Sequence, residues 1–146
     1  METSFYFPVV VRQLPDQRLQ AHLSDLPELS RQGSSLEGVL SALREALTLS
    51  VAQRMRTNQP LPIPAAQRSK VWVTIPALLA CKATLYLAMR QQSVSKTALA
   101  KRLNLDEKEI RRLLDPDHPS KLPRLENALA TLGVQLLVAG RPTPLP

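Results

Sequence analysis

The sequence predicts an α+β protein made of two small units, a strand-rich first half and a helical second half. Three observations predict it. Residues 4–32 hold β-branched and aromatic runs broken by turn residues, Val71-Trp72-Val73-Thr74-Ile75 supplies a further run of the same kind, and residues 78–132 carry apolar positions at helical spacing. With 146 residues and 44% hydrophobic content, the chain is long enough for one ordinary domain or two very small ones. The predicted boundary is Pro76, giving units 1–76 and 77–146.

Ser4 to Gln13 contains Phe5, Tyr6, Phe7, Val9, Val10 and Val11 and reads as a strand stopped at Pro15-Asp16. Leu19, Ala21 and Leu23 alternate with Arg18, Gln20 and His22, the period of two of a strand with one covered face, and should pair with the first run as a hairpin. A third short strand falls around Leu29 to Gln32, after a turn that must hold Pro27. Ser34 and Ser35 both offer N-caps for a helix carrying Leu36, Val39, Leu40, Leu43, Ala46, Leu47 and Val51; Ser34 with Glu37 makes a capping box, so which serine caps is open. Prolines at 60, 62 and 64 impose an extended connection to the strand at 71–75. The first unit is thus β-β-β-α-β. Tyr6, Phe7 and Trp72 all lie in strands, where a place in the core is expected for each.

The second unit opens with a helix from Leu78 to Gln92 bearing Ala83, Leu85, Tyr86 and Met89. Ser95 caps a short helix with Ala98, Leu99 and Leu103 on one face and Lys96, Lys101 and Arg102 on the other. Ala100 is small where two helices must approach, and Asn104 tolerates the left-handed backbone a tight turn demands. Asp106, with Glu109 three residues on, starts the next helix, which buries Ile110, Leu113 and Leu114 behind Arg111 and Arg112. This is a helix-turn-helix pattern, and its second helix is the one that enters a DNA major groove. Residues 115–119 form a loop, Pro123 to Leu132 a helix stopped by Gly133, and Val134 to Val138 a last strand without a partner in its own unit. The final RPTPLP should fray.

The formal charge is +7, and most of it lies in the second half: residues 78–146 hold 11 Lys and Arg against 6 Asp and Glu. An anionic partner for that half is the simplest reading. Cys81 is the sole cysteine, which excludes an intramolecular disulfide and a cysteine zinc cluster and suggests a reduced, packed thiol. A cytoplasmic location without membrane contact is expected, since no apolar run approaches a membrane span and the N-terminus lacks a signal-peptide pattern. Catalysis finds no support. Asp16 and Asp25 are the only acids among the strands, both in turns, and neither His22 nor His118 has a partner set for base chemistry. No metal or cofactor is expected.

The order of these parts resembles the HicB antitoxins of HicA/HicB toxin-antitoxin modules, in their helix-turn-helix form. The resemblance runs through nearly the whole chain. It is carried by Pro8-Val9-Val10, Asp25-Leu26-Pro27-Glu28, ALREAL from Ala42 to Leu47, LPIP from Leu61 to Pro64, VWVTIP from Val71 to Pro76, SKTALAKRLNLDEKEIRRLLDPDH from Ser95 to His118, SKL from Ser120 to Leu122, and ALATLGVQLLV from Ala128 to Val138. Many members have Gly-Cys where this chain has Glu28-Leu29, and Asn104 stands where helix-turn-helix turns often have glycine. The resemblance implies an N-terminal unit like a reduced ribonuclease H fold that covers the active site of a small HicA-like, mRNA-cleaving toxin, and a C-terminal unit that represses the protein's own operon.

On that reading the groove-facing residues are Glu107, Lys108, Arg111 and Arg112, with Lys96, Thr97, Lys101 and Arg102 on phosphates. Asp25, Glu28, Glu37 and Glu45 are candidates to face a basic toxin. A homodimer, or a higher assembly built from it, seamed by the C-terminal strand and the helix before it, would place two recognition helices about 34 Å apart on an inverted-repeat operator. The alternative is a dimeric transcriptional regulator whose N-terminal unit senses a ligand or only aids assembly.

Overall fold

A computed structural model describes residues 2–65 and 69–143. The chain divides into two compact units, one of residues 1–51, 62–76 and 140–146, the other of residues 52–61 and 77–139. The expected extended connection at 59–70 is free of helix where described, and residues 66–68 lie outside the described residues.

In the first unit, β1 (Tyr6–Gln13), β2 (Leu19–Leu23), β3 (Ser30–Gly33) and β4 (Trp72–Thr74) form one antiparallel sheet in the order β3-β2-β1-β4. Val9 stands opposite Leu23, Val11 opposite Ala21 and Phe7 opposite Val73, and residues directly opposite share a face. The buried members of that face, Phe7, Val9, Ala21, Leu23 and Val73, form the core with Val39, Leu40, Leu43 and Leu47 of helix α1 (Leu36–Arg56). Ser35 is the residue that caps α1: its Oγ accepts from the Gly38 amide at 3.1 Å. Arg44 of α1 donates to the Thr74 carbonyl at 2.9 Å, tying the helix to the β4 edge.

Phe7 takes the expected core place, but Tyr6 and Trp72 do not. Alternation puts both on the opposite sheet face, half-buried, with ring centroids 5.2 Å apart. The Arg141 guanidinium lies over Tyr6, 4.4 Å from its centroid, so this part of the tail is held rather than frayed. Residues 144–146 are outside the described residues.

The second unit contains α2 (Ala77–Gln92), α3 (Lys96–Leu103), α4 (Glu107–Leu114) and α5 (Leu122–Thr131). Its core gathers Leu85 and Met89 of α2, Leu99 and Ala100 of α3, Ile110 and Leu113 of α4, and Leu125, Ala128 and Leu129 of α5. Gly133, at φ 74°, ends the α5 region in the left-handed conformation that glycine adopts without strain. The strand expected at 134–138 is absent from this chain. Val134 and Leu136 lean on the core while Leu137 and Val138 stand 67% and 89% exposed, and a strand needs a neighbouring backbone that the described residues do not supply here. Among the described residues no helix is long and apolar enough to cross a membrane.

Candidate nucleic-acid interface

Local chemistry builds the two helices and the bend between them. Ser95 Oγ accepts from the Ala98 amide at 3.0 Å and starts α3. The helix ends where Asn104 turns left-handed, at φ 53° and ψ 45°. The Asn104 amide donates to the Lys101 carbonyl at 3.2 Å and the Leu105 amide to the Ala100 carbonyl at 2.9 Å, the paired bonds of a Schellman stop with Asn in place of glycine. Asp106 then accepts from the Lys108 amide at 3.1 Å and opens α4. Glu109 does not complete a capping box. Its two oxygens instead take Arg112, three residues on in the same helix, and, at 3.1 Å, Arg124 of α5, the second a partner that only tertiary packing brings near.

The predicted DNA-facing residues separate into free and tethered groups. Lys96, Lys101 and Lys108 are exposed and carry no side-chain hydrogen bond or ion pair among the described residues, and Arg102 is exposed as well. Glu107 accepts from Thr97 at 3.2 Å and from Arg111 at 2.9 Å, so it links the first turns of α3 and α4 and holds Arg111 beside them. Lys96 and Arg111 line a common groove with Arg56, Arg90, Asp115 and Asp117. Arg112 is half-buried and bound to Glu109, a less open position than Arg111 occupies. Beneath these groups Leu99, Ile110 and Leu113 are buried, so the charged side is the outward side of α4.

Sequence reasoning missed Lys82. Its side chain is completely covered, yet its ammonium donates to the Arg112 carbonyl at 2.9 Å and to Ser120 Oγ at 2.8 Å. Ser120 in turn meets His118 Nδ1 at 3.1 Å. Burial pushes the Lys82 pKa down, and Asp115 opposes that shift. The available signal was a charge set inside the apolar stretch of α2 before Arg90, at a position that shares a helical face with Leu85 and Met89.

The four N-terminal acids are not joined by any hydrogen bond or ion pair. Asp25 is half-buried and accepts from the Ala65 amide at 3.3 Å, while Glu28, Glu37 and Glu45 are exposed. Cys81 is a free, half-buried thiol whose pKa is raised by burial and by the negative charge of Glu126. Among the described residues no group of three or more His, Cys, Asp or Glu is placed to hold a metal ion.

The architecture defines a class: an antiparallel sheet with one long helix, followed by a four-helix unit containing a bihelical turn with a cationic outer side. Relatives place it in a family. The chain is 32% identical over 120 residues to Antitoxin HicB of Pseudomonas fluorescens (strain Pf0-1), covering 80% of this chain and 81% of the relative. It is 26% identical over 131 residues to Antitoxin HicB of Escherichia coli (strain K12), covering 89% and 95%. It is 30% identical over 112 residues to Antitoxin HicB 2 of Photorhabdus laumondii, covering 77% and 80%. No protein-family model matches. The chain belongs to the HicB antitoxin family.

Proposed function

We propose that this protein neutralises a HicA-like toxin ribonuclease by direct binding through residues 1–76 and represses its own operon through α3, the Asn104 turn and α4. Family membership supports the antitoxin role. For the repressor role the carrying observation is the outward row of cations, Lys96, Lys101, Lys108 and Arg111, over a helix pair whose other side is buried in Leu99, Ile110 and Leu113. Lys108 and Arg111 read base edges, while Lys96, Thr97 and Lys101 contact phosphates. Glu107 lies between these sets and sets the direction of Arg111. Asp25, Glu28, Glu37 and Glu45 give the first unit its acidic groups toward a basic toxin.

The working form is a homodimer. Leu137 and Val138, exposed at the end of an unpaired apolar segment, supply an edge that pairs with its copy across a two-fold axis, which in turn calls for an inverted-repeat operator. The test is co-expression. A short reading frame beside this gene should arrest growth when expressed alone and be silenced by this chain, and the purified protein should retard the duplex immediately upstream of its gene. Absence of a toxic neighbour together with retained DNA binding would instead favour a plain regulator.

A further inference from the structure

We infer that Lys82 is a positioning residue for α4, fixing the pitch at which that helix meets DNA. The inference rests on the reading of α4 as the DNA-facing helix. The first turn of α4 is held to α3 by the bond from Thr97 to Glu107. Its far end is held from α2. Lys82 donates to the carbonyl of Arg112, in the last turn of α4, and to Ser120 in the segment that follows, while Ser120 Oγ itself donates to the same carbonyl at 3.2 Å. A helix leaves its last carbonyls short of donors and carries partial negative charge there, and from its own end of α4 the Arg112 carbonyl receives the Asp115 amide at 3.3 Å. A buried ammonium at that end is therefore a charged cap supplied by a different helix. It sits under the segment bearing Arg111, and because it is wholly covered it reaches no phosphate.

That last point separates Lys82 from the surface cations. Removing a phosphate contact lowers the salt dependence of DNA binding by about one unit of slope per contact. Removing Lys82 should leave the slope intact and lower discrimination. In the full chain, Lys82→Met retains the aliphatic volume and deletes the charge. The expected result is affinity for the duplex upstream of the gene lowered about tenfold, roughly the factor associated with one imperfect base contact. Affinity for a random duplex of equal length and the salt slope should not change, while hydrogen exchange of the 112–115 amides should speed up ahead of the rest of the unit.

Unchanged exchange at 112–115 with an unchanged ratio of upstream to random affinity overturns the inference, as does a reduced salt slope. If Lys82→Met unfolds the unit, Ser120→Ala decides: selective loss of protection at 112–115 supports the role, and no change refutes it. If the wild-type chain prefers no duplex, the repressor reading fails on its own, and the exchange measurement still judges whether Lys82 holds the end of α4.

Discussion

The Thr97 hydroxyl donates to the Glu107 carboxylate at 3.2 Å, across the bend at Asn104, and the other oxygen of that carboxylate holds Arg111 at 2.9 Å. One acid thus bridges the two helices and holds Arg111, the arginine that the proposed repressor role assigns to DNA. An exposed bond of this kind contributes about 0.5 kcal/mol to stability, so its value lies in geometry. Glu107→Ala should barely move the melting temperature. It should raise affinity for random duplex several-fold by removing a negative charge, and narrow the gap between operator and random DNA; anisotropy titrations on both duplexes check this.

Asn104 holds its left-handed conformation through a residue type that enters it at low cost. Asn104→Ala should destabilise the second unit by about 1 kcal/mol, whereas Asn104→Gly should be neutral or slightly stabilising. Urea denaturation of both variants decides the matter. Equal stability of all three proteins would mean that the turn is not a determinant.

Cys81 offers a chemical probe of packing. Its raised pKa leaves less thiolate at any given pH than an ordinary thiol, so folding and deprotonation oppose each other. The preference for the protonated thiol is fully present below the pKa of the unfolded chain and is lost as pH rises through the higher folded value. Alkylation of the native protein by iodoacetamide near neutral pH should be much slower than in urea, and the gap should close at alkaline pH. Equal rates at neutral pH would place the thiol in water.

Features governed by neighbours in sequence were readable from the residues. Ser95, Asn104 and Asp106 act on amides and carbonyls within five residues, and Gly133 ends its helix for a purely local reason. The β-branched and aromatic run of β1 and the alternation in β2 gave the hairpin, while the choice between Ser34 and Ser35 needed the start of α1 itself. Long-range contacts left little trace. Lys82 reaches groups 30 and 38 positions away, Glu109 reaches Arg124 rather than its own cap, and Arg141 returns to Tyr6 from the other end of the chain. The apolar pattern at 134–138 is that of a strand, but a pattern cannot show whether the pairing backbone belongs to the same molecule.

That segment yields a prediction about assembly. Leu137→Asp with Val138→Asp should leave the melting of a monomer nearly unchanged, because both side chains already face water, and should convert the proposed dimer to a monomer by sedimentation. Operator affinity should fall with it, since half-sites would then be bound singly. A dimer that survives both changes would place the seam elsewhere.

The most direct measurement compares two activities of one variant pair, Lys108→Ala and Arg111→Ala, in the full chain. Each should lose operator retardation by tenfold or more, with Lys108→Ala and Arg111→Ala still silencing the neighbouring toxin in growth assays as well as wild type does. Loss of toxin silencing along with DNA binding, or DNA binding that survives both substitutions, would contradict a protein that works through two separate surfaces.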